Sequence, residues 1–105
     1  MAKEKIILIY ITSKDKKEAK MIATHLLKRR LIACANIFPI SSLYWWKGKI
    51  EKGMEVLLIA KTIPKNYAKV KVEVKKIHSY KTPCIIKIDA EANDGYLMWI
   101  RDEVR

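Results

Sequence analysis

The chain has 105 residues, half of them hydrophobic, with 22 lysines and arginines against 11 acids and a formal net charge of +11. That length fits a single domain spanning residues 1–105, and the apolar half excludes a disordered basic tail as the dominant character. No apolar stretch approaches the ~20 residues needed to cross a bilayer, and the run Ile6 to Ile11 is too short for the core of a secretory signal, so the expectation is a cytoplasmic protein without membrane contact. Glutamine is absent while isoleucine, lysine and glutamate are abundant, a composition seen in thermophilic proteins.

Taken in order, Ile6-Ile7-Leu8-Ile9-Tyr10-Ile11 is continuously apolar and β-branched and predicts a central strand covered on both faces or nearly so. Ala19, Ile22, Ala23, Leu26 and Leu27 recur at helical spacing between Ser13 and the basic stop Lys28-Arg29-Arg30, whose charge suits the negative end of a helix dipole. Ala33 to Ile37 reads as a strand interrupted by Pro39 and resumed from Ser41 to Trp46, at an edge or a bulge. Glu55 to Thr62 is the returning strand. Thr62-Ile63-Pro64 offers a cap and a proline in the first turn of a second helix, with Tyr67, Val70, Val74 and Ile77 inward; the alternation of Val70, Val72 and Val74 keeps a strand reading open. Cys84 to Ile88 is a further strand, and Tyr96, Trp99, Ile100 and Glu103 mark a terminal helix. Helices crossing between non-adjacent strands of one antiparallel sheet give an α+β, ferredoxin-like split βαβ arrangement, βαββαβ, with a C-terminal helix.

Three of the nine aromatic residues crowd into Tyr44-Trp45-Trp46 beside Lys47-Gly48-Lys49, the glycine supplying the positive φ that a reversal needs. This long bent hairpin exposes more aromatic surface than a monomer of this size should show, so Tyr44, Trp45 and Trp46 are expected at a subunit interface.

The lysines are dispersed as solvated helix faces usually are, and arginine, the better phosphate fork, is scarce; the charge therefore supports nonspecific polyanion attraction and no specific nucleic-acid partner. The phosphate-loop, dinucleotide, zinc-protease, CxxC and nucleophile-elbow signatures are all missing, and the aromatics do not follow the RNA-recognition pattern.

Four residues invite a chemical reading. Cys34, flanked by Ala33 and Ala35, is either a soft metal ligand or reactive thiol, or a small buried hydrophobe, and spacing alone favours the hydrophobe. Cys84 reads as structural, and both cysteines as free thiols. His78, with Tyr80 two residues on, sits where a helix ends: a ligand or proton-transfer pair, or a histidine completing the helix carbonyls. His25 is expected on a solvent-facing helical surface. An enzyme using Cys34 and His78 lacks an orienting third group, so no catalytic residue is assigned.

Together Arg30 to Asn36, Tyr44 to Glu51, Glu55 to Thr62, His78-Ser79-Tyr80 with Pro83, and Tyr96 to Trp99 resemble the CutA family of divalent-cation tolerance proteins, in order and in spacing. The resemblance implies a homotrimer related to the PII-type signalling trimers, with hairpins of neighbouring subunits packed on one another. It implies copper(II) or another divalent cation as a weakly held partner, none obligatory, and of the family's copper ligands this chain keeps only His78, so a metal site needs Cys34, Tyr80 or a neighbouring subunit to complete it, or is absent; His78 and Cys34 are the metal residues expected here, and Tyr80 and Lys61 are expected to line a ligand cleft. A small molecule in a cleft between subunits is the alternative. Family members with an assigned copper site carry a cysteine where this chain has Ile11 and a histidine where it has Ile77.

Overall fold

The computed structural model describes residues 5–105. Strands β1 (Ile6–Ser13), β2 (Cys34–Trp46), β3 (Lys49–Thr62) and β4 (Ile85–Ala90) form one sheet in the order β2-β3-β1-β4. Every neighbouring pair is antiparallel. Helix α1 (Lys16–Lys28) links β1 to β2, and α2 (Tyr67–Ile77), entered through a 3-10 turn at Pro64–Asn66, links β3 to β4; α3 (Asp94–Glu103) follows. The α+β, ferredoxin-like expectation holds.

Alternation along β1 divides the sheet. Ile7, Ile9 and Ile11 are fully buried with Ile22, Leu26, Val70 and Val74 of the two crossover helices. The opposite face carries Leu8 and Tyr10 beside Ile88 and Ile86, and is partly exposed at Phe38, Ile86 and Ile88. On α2, Val70 and Val74 are buried while Val72 is 52% exposed, so the period is 3.6 and the strand reading fails.

Two boundaries differ from expectation. Ser13 ends β1, and α1 is capped by Asp15, whose Oδ1 accepts from the Glu18 N–H at 2.8 Å. Its basic stop is a Schellman closure: Leu31 N–H bonds to Leu26 O and Arg30 N–H to Leu27 O, with Arg30 left-handed at φ 59°. Thr62 does not cap α2. It is the last residue of β3, fully buried, and its hydroxyl donates to Leu31 O at 2.6 Å. Asn66 Nδ2 donates to the same carbonyl at 3.1 Å and to Thr62 Oγ1 at 3.2 Å, tying the end of α1 to the start of α2.

Pro39 does not interrupt the second strand either. β2 and β3 run in one register from Cys34–Lys61 to Trp46–Lys49, with Pro39 opposite Val56 and no bulge. This is sterically possible because β2 is an edge strand, where a missing N–H deprives no neighbour of a bond. Lys47 (φ 49°) and Gly48 (φ 77°) close the hairpin, both left-handed as a two-residue turn between twisted strands requires. Pairing of β3 with β1 stops at Val56, so the hairpin beyond it projects as a two-stranded ribbon and stretches the chain to 49 Å against 26 and 22 Å.

Thr62→Val keeps the side-chain shape, removes one donor from the buried Leu31 carbonyl and removes an acceptor from Asn66; it is expected to lower unfolding free energy by about 1–3 kcal/mol. Denaturant unfolding of the two proteins checks this, and an unchanged midpoint would show that the buried network adds nothing.

Candidate ligand cleft at the base of the hairpin

The ribbon leaves the four-stranded sheet near Glu55 and Thr12, and the loop after α2 folds back onto that place. His78 turns extended (φ −75°, ψ 140°) while its N–H still reaches Val74 O at 2.9 Å. Its Nε2 lies 2.8 Å from the Thr12 carbonyl oxygen and its Nδ1 3.0 Å from the backbone nitrogen of Tyr80. An amide N–H only donates, so Nδ1 accepts and Nε2 carries the proton given to Thr12. The ring is thereby assigned as the neutral Nε2–H tautomer, with both nitrogens engaged.

Tyr80 stacks obliquely on that imidazole, centroids 4.8 Å apart, and its hydroxyl donates to Glu55 Oε2 at 2.8 Å. Burial, then the hydrogen bond to Glu55 and its charge, push the phenol far above its ordinary range, so Tyr80 is a neutral donor at every physiological pH. Burial also raises the Cys84 thiol against the opposing pull of Thr12, leaving it protonated. Glu18, buried on α1, accepts from Lys14 N–H at 3.0 Å through Oε1 and from Ser79 N–H at 2.9 Å through Oε2. Burial alone would raise its pKa; the hydrogen bonds from Ser79 and Lys14 outweigh it and hold the carboxyl below its usual value.

Of the residues singled out from sequence, His78 and Tyr80 meet; Cys34 and Lys61 are elsewhere. Those two face each other across β2 and β3, with Lys61 Nζ 5.5 Å from the Tyr96 ring centroid. Thr12 pairs with Leu57, four residues before Lys61, which separates His78 from Cys34 by ~13 Å along the strand. Among the described residues no three His, Cys, Asp or Glu side chains converge on a common point. Within one subunit the donors as arranged therefore do not fit a metal ion. Ile11 is fully buried and Ile77 packs on the same core, so the two family ligand positions complete the apolar interior instead.

His25 is not a free surface histidine. Its Nε2 is 2.9 Å from Glu73 Oε1, which also receives Arg29 at 3.2 Å, while Lys76 reaches Oε2 at 3.1 Å. Glu55, Glu18 and Thr12 were missed from sequence; only strand register and the helix-to-loop bond reveal them. Tyr44, Trp45 and Trp46 stand at 46%, 73% and 59% exposure on the ribbon, and Leu43 and Ile50 beside them are also exposed.

Because the Glu18 pKa is lower in the folded state, its contribution is present above the unfolded value of 4.5 and disappears as pH falls through the folded one. Glu18→Gln is expected to be less stable than wild type at neutral pH and to converge with it in acid. Thermal unfolding across pH checks this; a constant difference would remove the ionised carboxylate from the account.

Comparison with known proteins agrees with this geometry. The family of CutA1 divalent ion tolerance proteins matches residues 7–103. The chain is 48% identical over 97 residues to the divalent-cation tolerance protein CutA of Archaeoglobus fulgidus, covering 91% of this chain and 95% of that one. It is 41% identical over 101 residues to the Pyrococcus horikoshii CutA, covering 95% and 99%. The solved structure of the Archaeoglobus fulgidus protein, described as periplasmic, superposes with a TM-score of 0.93 at 46% identity over 95% of this chain and 99% of that one. With sequence and fold matched over nearly their whole length, this chain belongs to the CutA1 divalent ion tolerance protein family.

Proposed function

We propose that the chain acts in divalent-cation tolerance as a non-enzymatic homotrimer, joined through Tyr44, Trp45 and Trp46, which takes up a divalent cation such as copper(II) weakly. The observation that carries this reading is the ribbon. Leu43, Trp45, Trp46 and Ile50 lie exposed on two strands that no other element among the described residues covers, and burying each such side chain is worth ~1.5–3 kcal/mol. An isolated two-stranded ribbon is marginal in water, and packing against copies of itself supplies the missing third layer. The reading as a non-enzyme is supported by the ~13 Å of strand that separates Cys34 from His78, which leaves the thiol without an imidazole to activate it. The two free thiols support a cytoplasmic location.

Any cation taken up at His78 would be held weakly, because both nitrogens of the imidazole are already engaged. A cation at Nδ1 must displace the Tyr80 N–H and one at Nε2 must displace the proton held on Thr12, so each route gives up a hydrogen bond worth about 0.5–1.5 kcal/mol. A second reading is that a small molecule binds beside Tyr80, whose hydroxyl and Glu55 carboxylate offer a donor and an acceptor, and that the trimer serves as a sensor or interaction scaffold; Lys61, by the Tyr96 ring, lies outside that place.

Light scattering at micromolar concentration is expected to give three times the chain mass, and Trp45→Ser with Trp46→Ser to dissociate the assembly; a monomeric wild type with water-exposed tryptophan emission would sink the proposal. Calorimetry with copper(II) is expected to show weak binding that is lost in His78→Ala and fades in acid, where protons compete with the metal for the nitrogen. Loss only in Cys34→Ser would move the metal to a thiolate, and no heat in any variant would favour the scaffold.

A further inference from the structure

The charge of this chain is dispersed along the sequence but gathered in space. Residues 15–30 and 64–78, which hold α1 and α2 with their ends, contain eleven of the 22 lysines and arginines and only three of the 11 acids, so eight of the eleven net positive charges lie on the helical side of the sheet. Arg30 is ion-paired with Glu103 of α3 at 2.8 Å, and the three acids take little from the remaining excess. Asp15 is consumed as the cap of α1, Glu18 is buried on Ser79 and Lys14, and Glu73 is shared among His25, Arg29 and Lys76. Lys16, Lys17, Lys20 and Lys28 on one helix and Lys69 and Lys75 on the other all stand exposed.

We propose that this helical side is a docking surface for the phosphate backbone of duplex nucleic acid, bound without reading its sequence. Charge complementarity selects a polyanion, and the relief of the surface narrows the choice. Between the end of α1 and the start of α2 lies an open depression of about 370 Å³ whose lining includes Arg29, Lys69 and Glu73, so the two basic rims flank a shallow groove. The exposed aromatic rings, Phe38, Tyr44, Trp45, Trp46 and Trp99, are on β2 and α3. Unstacked bases of a single strand would therefore find no platform on this side, whereas a duplex asks only for positive charge on its backbone. Lysine ammonium groups supply point charges without the planar fork that reads guanine, which suits positioning and not base recognition. The 13 residues of α1 span ~20 Å, enough to set roughly four lysines against successive phosphates.

The test is fluorescence anisotropy of labelled duplexes, about 20 base pairs long and of two unrelated sequences, titrated with the intact assembly over a range of salt. One variant carries Lys16→Gln, Lys17→Gln, Lys20→Gln and Lys28→Gln, the four exposed lysines of α1, where glutamine keeps the helix. Its control carries Lys5→Gln, Lys52→Gln, Lys81→Gln and Lys87→Gln, the same change in net charge placed elsewhere on exposed positions. Circular dichroism and mass establish that both are folded and assembled. Wild type is expected to bind both sequences alike and to weaken on the order of 10²-fold between about 50 and 200 mM salt, as four neutralised phosphates dictate. The helical-side variant is expected to lose about 10²-fold at the lower salt with a nearly flat salt dependence, and the control to stay within a few-fold of wild type. Equal loss in the two variants, a preference between the two sequences, absence of wild-type binding at low salt, or capture by phosphatidylserine vesicles in place of duplex would each overturn the proposal.

Discussion

Thirteen consecutive residue pairs, from Cys34–Lys61 to Trp46–Lys49, hold β2 and β3 in one unbroken register, and much of what is distinctive in the molecule depends on that pairing. A strand side chain has a period of two, so a single-residue slip would send every one of these side chains to the opposite face. The register seats Ala35 and Ile37 over the helical core, and turns Phe38 and Glu55 to the other side. It also carries the hairpin seven residues of β3 past the point where β1 stops pairing, which is why the tryptophans stand clear of the subunit. Pro39 is tolerated within it because an edge strand has one side without a neighbour.

The junction at the hairpin base is a consequence of the same pairing. Glu55 lies next to Val56, the last residue of β3 paired with β1, and there it meets the Tyr80 hydroxyl brought in by the loop after α2. His78 fastens that loop to β1, Ser79 fastens it to Glu18 of α1 and Tyr80 to Glu55 of β3, so three elements converge on a segment of three residues. A histidine so employed is structural first. Its ring nitrogens orient the loop, and any ligand must compete with the backbone groups of Thr12 and Tyr80. Cys34, on the same pair of strands but four register steps away, is excluded from this place by the stiffness of the sheet.

The helical layer shows the opposite economy. Its inner side is saturated with isoleucine, leucine and valine, and its acids are each committed to a cap, a buried bond or an ion-pair hub, so the lysines outside are left as the dominant surface charge. The Glu73 hub joins α1 to α2 through His25, Arg29 and Lys76, a role that required two helices to be adjacent before His25 had a partner.

The amino-acid sequence by itself determined the element order, the central β1, the glycine-bearing turn and the family, because apolar periodicity, turn chemistry and the spacing of Tyr44 to Glu51 are local properties written within a few residues of one another. It also led towards His78 and Tyr80 as a pair, since two residues of separation in a loop keep side chains within reach. Only the tertiary structure decided what they touch. Glu55 and Tyr80 are 25 residues apart, His78 and Thr12 are 66, and no periodicity reports a contact of that range. Thr62 illustrates the difference: locally it resembles a helix cap, yet the Leu31 carbonyl, 31 residues away and buried, claims its hydroxyl, because an unmet buried acceptor is costlier than an uncapped helix end open to water.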